Sequence, residues 1–198
     1  MAEFIADGQR ALCEDDVNRL ACCFRFGDGV DRFPAPPAEG GDPSFLLERY
    51  SLEGADWRAY ARFQPDVYAR NLVRGGDDYE LIVICWKDGQ QSPIHDHDGQ
   101  RCWMSVLEGT IRETLFDRPA GGPLARRSSR ALSRGQVGYI TDEVGLHEIH
   151  PEGGSAISLH LYAKPIRTCR VFCPDTGRVD QRRLTYHSVQ GEPVMGHA

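Results

Sequence analysis

Two histidines one residue apart, His95 and His97, have the types and spacing best suited to chemistry in this chain. In an extended segment residues i and i+2 point to the same face, about 6.6 Å apart at ~3.3 Å per residue. Two imidazoles so placed can converge on one metal ion. A third ligand is needed, and His147 and His150 are the candidates. In an extended segment they face opposite ways, and His150 directly precedes Pro151, which suits a surface turn. His147 closes the turn-rich stretch that starts at Gly135, and it is favoured. The plain alternative for either is an ordinary surface histidine. Imidazole suits Zn, Cu, Fe and Ni, whereas two histidines with one carboxylate suit Fe(II) oxygenases. Three neutral imidazoles leave the charge of a divalent ion uncompensated. Such a site favours an anionic co-ligand, such as a thiolate, and leaves positions open for substrate and O2.

Two further sets add polarity. In Ser158-Leu159-His160-Leu161-Tyr162 the alternation sends Ser158, His160 and Tyr162 to one face and the leucines to the other. That row forms either a hydrogen-bonded line ending in a phenol or the solvent-facing side of a strand. On the pattern alone the solvent-facing reading wins. Tyr68 and Arg70 share a face of an earlier strand. The guanidinium is a planar fork for a carboxylate, but a surface arginine is the default reading.

The elements that must position these residues follow from texture. The 198 residues, 40% hydrophobic and 26% charged with a net charge of -6, describe an ordinary globule and argue against a nucleic-acid surface. No apolar run approaches the roughly 20 residues of a membrane span. The stretch Met1–Asp7 lacks the basic and apolar regions of a secretory leader. Seven irregularly spaced cysteines, with no Cys-x-x-Cys pair, argue against a disulfide scaffold or a thiolate zinc site and for a reducing cytoplasm. Helical spacing appears over residues 9–26. A loop covers 34–43, and Asp42-Pro43 is an N-cap pair for a short helix through Ser51. Another helical turn or two covers 56–63. From Tyr68 short apolar runs replace this pattern: 68–73, 79–86, 102–107, 110–116, 137–140, 156–162, 171–173 and 178–186. Many short strands mean a sandwich or barrel. Leu107-Glu108-Gly109-Thr110 reads as a hairpin turn, 117–135 as an exposed excursion, and the tail after His187 as loosely held. The expected organisation is one domain: a helical cap over 1–64, a β-barrel over 65–187 and a tail over 188–198.

Gly89, five residues, His95-x-His97, four residues, Cys102, six residues, Gly109 resembles the first cupin motif, with Cys102 where Glu is usual. The stretch from Gly135 to His147 resembles the second, one residue longer, with Thr141 and Glu143 for its Pro and Gly. Tyr68-Ala69-Arg70-Asn71-Leu72-Val73, Ile84-Cys85-Trp86, Glu113-Thr114-Leu115-Phe116-Asp117, Gly145-Leu146-His147 and Ser158-Leu159-His160-Leu161-Tyr162 follow in order around these motifs. Together, over residues 65–187, the set resembles cysteine dioxygenase, a cupin thiol dioxygenase. The resemblance implies a mainly β, double-stranded β-helix with N-terminal helices. It implies Fe(II) on His95, His97 and His147, and Arg70, with Tyr68 beside it, on the substrate carboxylate. It implies Tyr162 joined to Cys102 by a thioether, with Ser158 and His160 supporting the phenol by hydrogen bonds. The reaction implied is oxidation of L-cysteine by O2 to the sulfinic acid, a step of cysteine catabolism, by a cytoplasmic monomer with no nucleic-acid or membrane partner.

Relatives carry Ser-Pro-Pro after the tyrosine where this chain has Ala163-Lys164-Pro165. A cis bond there is disfavoured, since a non-proline cis peptide costs about 2.5–4 kcal/mol. Cys169 matches a family position near the pocket, and it also reads as a small buried hydrophobe. Cys13, Cys22, Cys23 and Cys173 read as structural or incidental. Three rivals remain: a dioxygenase for another thiol acid such as 3-mercaptopropionate, a non-catalytic metal-binding cupin, and a zinc or manganese isomerase. Relatives that act on 3-mercaptopropionate commonly have Gln at the position of Arg70, which favours cysteine.

Overall fold

A computed structural model describes residues 42–77, 79–118 and 122–194. The expected helix over 9–26 and Cys13, Cys22 and Cys23 lie outside them. The first described element, α1 (Ser44–Glu53), has Pro43 rather than the expected Asp42 at its N-cap, with Asp42 one residue before it. The Asp42 carboxylate accepts from the Ser44 backbone N–H at 3.0 Å and from its hydroxyl at 2.7 Å. Its last carbonyls, Ser51 and Leu52, accept from the Arg134 guanidinium at 3.0 and 2.9 Å, which ties the helix end to the barrel. A 3-10 turn follows at Asp56–Tyr60. No helix among the described residues is long and apolar enough to cross a membrane.

The strands are β1 (Ala69–Gly75), β2 (Tyr79–Trp86), β3 (Ile94–His95), β4 (Arg101–Glu108), β5 (Thr110–Asp117), β6 (Ala125–Ser133), β7 (Val137–Ile140), β8 (Leu146–Pro151), β9 (Ala156–Ala163), β10 (Thr168–Phe172), β11 (Val179–Arg183), β12 (Ser188–Val189) and β13 (Glu192–Pro193). They form two sheets, ordered β13-β12-β1-β2-β9-β4-β7 and β11-β10-β3-β8-β5-β6. Pairing is antiparallel except for β1 with β12. The fold is a double-stranded β-helix.

The larger sheet is buried on both faces, which is why β2 reads as an almost unbroken apolar run. Ile82, Ile84 and Trp86 face into the barrel. Leu81, Val83 and Cys85 face outward beneath Leu47 of α1 and Trp57 of the 3-10 turn. Fully burying a side chain such as Leu47 contributes roughly 1.5–3 kcal/mol. In β9 the same alternation places Leu159 and Leu161 in the outer layer. Ser158, His160 and Tyr162 therefore face the barrel interior. The solvent-facing alternative fails because the cap takes the other face.

Three expectations need correction. Leu107–Thr110 is a turn but not a hairpin: β4 pairs with β7 and β9, while β5 pairs with β6 and β8 in the other sheet. Gly109 makes that crossing with φ +76, and a Cβ there would stand 2.7 Å from the Ser155 carbonyl oxygen. The stretch 117–135 is no mere excursion, since β6 pairs with β5 along its length. The tail is held through Val194: Asn71 pairs in register with Ser188, whose hydroxyl donates to the Asn71 side-chain oxygen at 2.8 Å.

Candidate metal centre

His95 of β3 and His147 of β8 are direct cross-strand partners. The two histidines therefore meet by sheet register rather than by sequence spacing. His97 lies beyond the end of β3, so the strand argument alone does not place it. A turn does: the Asp142 carboxylate accepts from the backbone N–H of His97 at 2.6 Å and of Gly99 at 2.7 Å. Between them the buried Asp96 carboxylate accepts from the Arg170 backbone N–H at 2.8 Å and from its guanidinium. The ring centroids of the three histidines lie 4.6 to 5.2 Å apart. One nitrogen from each falls within 4.8 Å of the others. His150 is not part of this cluster.

The nitrogens left free identify what the cluster can hold. His95 Nδ1 lies 2.8 Å from the Pro93 carbonyl oxygen, and His147 Nδ1 lies 2.9 Å from Glu113 Oε1. Both N–H groups thus donate outward and turn Nε2 inward. His147 Nε2 and both ring nitrogens of His97 are buried with no hydrogen-bond partner. A buried polar atom without a partner costs about 1–3 kcal/mol, and a metal ion at the centre would satisfy all three rings. Burial, then repulsion from His147, pushes His95 down to about 3. The same causes push His97 well below the usual range. Both are neutral imidazoles at neutral pH, the ligating form.

Glu113 stands behind His147. Its Oε2 accepts from Arg130 at 2.6 to 2.7 Å. Burial raises the Glu113 carboxyl, but the His147 hydrogen bond and Arg130 outweigh it, and the group ends below the usual range. A carboxylate behind a ligating histidine fixes its tautomer and raises its basicity. Glu113→Gln should weaken metal binding roughly 10–100-fold while leaving three imidazoles in place. Competition against a metallochromic chelator measures this, and an unchanged affinity would refute it.

His95 and His147 line a cavity of about 250 Å³, and His97 stands behind them, its ring centroid 5.2 and 4.7 Å from theirs. That is below the roughly 300–1,000 Å³ of pockets for drug-sized ligands, so it suits a small substrate. Tyr68 forms one wall, stacked on Trp86 at 4.5 Å. Arg70, 5% exposed, lines it too: its Nη2 donates to Glu80 at 3.3 Å, and its Nη1 is buried without a partner. Cys169 lines the cavity as a buried thiol, pushed up to about 11 by burial and Asp96.

On β9 the polar row is connected differently from expectation. Trp86 Nε1 donates to Ser158 Oγ at 2.9 Å, and Ser158 Oγ lies 2.9 Å from His160 Nε2. His160 Nδ1 lies 3.8 Å from Cys102 Sγ. The row ends on the thiol rather than on the phenol. Cys102 and Tyr162 are direct cross-strand partners. Burial pushes His160 down to about 3 and Tyr162 well up. The peptide bonds around Lys164 are trans, and Lys164 takes φ +71.

The structure thus brings His95, His147, Tyr68, Arg70, His160 and Tyr162 to the lining of one cavity, with His97 beside the other two histidines and with Cys102 and Ser158 against His160 behind the lining. Sequence reasoning gave no role to Glu113, Glu80, Trp86 or His187. His187 lines the cavity, and its Nδ1 accepts from the Arg70 backbone N–H at 3.1 Å. Their links to the site join residues 10 to 117 positions apart in the chain, which local spacing does not reveal.

Known proteins give the same picture. The model of the family "Cysteine dioxygenase type I" matches residues 42–174. Cysteine dioxygenase type 1 of Rattus norvegicus is 39% identical over 153 residues, covering 74% of this chain and 76% of that protein. The Homo sapiens protein of the same name is 37% identical over the same coverage. Human 2-aminoethanethiol dioxygenase is more distant, at 29% identity over 52% of this chain and 46% of its own. With most of the barrel matched, and with these residues gathered at one cavity, the chain belongs to the cysteine dioxygenase type I family.

Proposed function

We propose that this protein oxidises the thiol of L-cysteine to the sulfinic acid with O2, at Fe(II) held by His95, His97 and His147. The balance needs no outside reductant: RSH + O2 gives RSO2H, in which sulfur is oxidised and both oxygen atoms are retained. When bound, the iron supplies the redox centre at which thiol and O2 meet. The rest is the work of this chain's residues. The neutral imidazoles add no negative charge, which favours a thiolate over a neutral thiol. Arg70 Nη1 takes the substrate carboxylate and fixes which end of the molecule faces the histidines. Tyr68 and Trp86 close one wall. Tyr162 offers its hydroxyl as a hydrogen-bond donor beside the histidines, and the Trp86–Ser158–His160 chain holds Cys102 against it.

The observation that carries this reading is a cation holder and an anion holder across one small cavity: three imidazole nitrogens within 4.8 Å of one another, and the unpartnered Nη1 of a buried arginine. Cys102 and Tyr162, paired across strands, are proposed to become a thioether on turnover, losing two hydrogens with O2 as oxidant. The acidic charge and the free thiols of Cys85, Cys102, Cys169 and Cys173 support a reducing, cytoplasmic setting.

Protein loaded with Fe(II) under argon, given L-cysteine and then 18O2, should form doubly labelled sulfinate, one per O2 consumed. Turnover on L-cysteine should exceed that on 3-mercaptopropionate. No sulfinate, or a single label, would overturn the assignment. Peptide mass spectrometry after turnover should find the peptides of Cys102 and Tyr162 joined.

A further inference from the structure

On β2 the inward-facing row is Glu80, Ile82, Ile84 and Trp86, so a carboxylate stands among apolar side chains. Glu80 is 1% exposed. A buried carboxylate is costly unless fully paired, and this one is. Its Oε1 accepts from Arg70 Nη2 at 3.3 Å and from the Ile166 backbone N–H at 3.2 Å. Its Oε2 accepts from the Tyr186 hydroxyl, which in turn accepts from Arg167 Nη1 at 2.6 Å. The Tyr186 ring also lies beneath the Arg70 guanidinium, 5.4 Å from its central carbon. Arg70 is thereby gripped at one nitrogen and along one face, while Nη1 stays free. A buried ion pair is often no more stabilising than apolar packing of the same volume, so stability is a weak account of this arrangement.

We infer that Glu80, held by Tyr186, is a positioning residue for Arg70: by occupying Nη2 it leaves Nη1 as the group that meets the substrate carboxylate. Recognition then depends on where the guanidinium sits, and a thiol without a carboxylate is indifferent to it. The inference rests on the reading of Arg70 as the carboxylate holder.

The test is anaerobic calorimetry on Fe(II)-loaded protein with two probes, L-cysteine and 2-aminoethanethiol, which lacks the carboxylate. Glu80→Ala should weaken L-cysteine binding by roughly tenfold, the size of one misplaced charge-assisted hydrogen bond. Binding of 2-aminoethanethiol should change by less than about twofold, since it makes no use of Arg70. Glu80→Gln keeps an acceptor for Nη2 and should recover most of the loss. Tyr186→Phe should fall between them. Equal weakening of both probes, or no change in either, overturns the inference. Should Glu80→Ala fail to fold, Glu80→Gln and Tyr186→Phe decide by the same ratio of the two probes. Arg70→Lys separates the layers. If it leaves L-cysteine binding unchanged, the reading of Arg70 fails; if it weakens binding and the Glu80 and Tyr186 variants do not, only the role of Glu80 fails.

Discussion

His97→Leu should lose Fe(II) and all sulfinate formation, yet its metal-free form should be more stable than the metal-free parent. His97 is 1% exposed and both ring nitrogens lack partners. In the metal-free protein that imidazole is a buried polar group with nothing to bond, a cost of about 1–3 kcal/mol. Leucine fills similar space without polar atoms and relieves it. For a chain of this size each kcal/mol raises Tm by roughly 2–4 °C. Added Fe(II) should raise the parent's Tm by mass action and leave the variant's unchanged. The metal affinity lost should exceed the roughly 10–100-fold typical of an outer partner. A variant that keeps stoichiometric iron, or whose metal-free form melts below the parent, would contradict the assignment of His97.

Arg70→Leu should damage both catalysis and the fold. A hydrogen bond between charged groups contributes about 1.5–3 kcal/mol, so kcat/KM for L-cysteine should fall roughly 10- to 150-fold. The fold suffers because Glu80 stays behind: removing one partner of a buried pair costs about 3–5 kcal/mol. Arg167, largely exposed and 3.7 Å away, compensates little. The penalty has a definite pH dependence. Burial already raises Glu80 above the ordinary carboxyl range, against the lowering effects of Tyr186 and Arg70. An acid whose folded-state value is raised contributes fully below its unfolded value of about 4.3 and loses that contribution as pH climbs through the folded value. Without Arg70 the shift grows. The stability gap between variant and parent should therefore widen from pH 5 to pH 8. Urea midpoints at the two pH values measure it, and a gap that narrows with rising pH would contradict the pairing.

How much of this was legible depends on how far each contact reaches. The strands β2 and β7 stand as read, because their apolar runs are continuous or end sharply. The inward face of β9 was ambiguous, since Ser158, His160 and Tyr162 look the same facing water or facing a cavity. Only the packing of Leu159 and Leu161 under α1 decides it. β6 escaped notice because Arg126, Arg127, Ser128, Ser129 and Arg130 show no apolar alternation, and an edge strand needs little. His95 and His97 were legible as a pair. Strand alternation alone does not aim His97, whose backbone N–H is held by the Asp142 carboxylate. Glu113 was hidden: it meets His147 only once β5 lies beside β8.

That pairing has one more outcome. The Arg130 guanidinium that steadies Glu113 belongs to β6, the last strand of its sheet, with one edge unpaired among the described residues. Terminal strands open most readily by local fluctuation. Whatever firms the hold on His147 should therefore slow amide exchange along β6, and fraying there should be felt as a weaker grip on the ion.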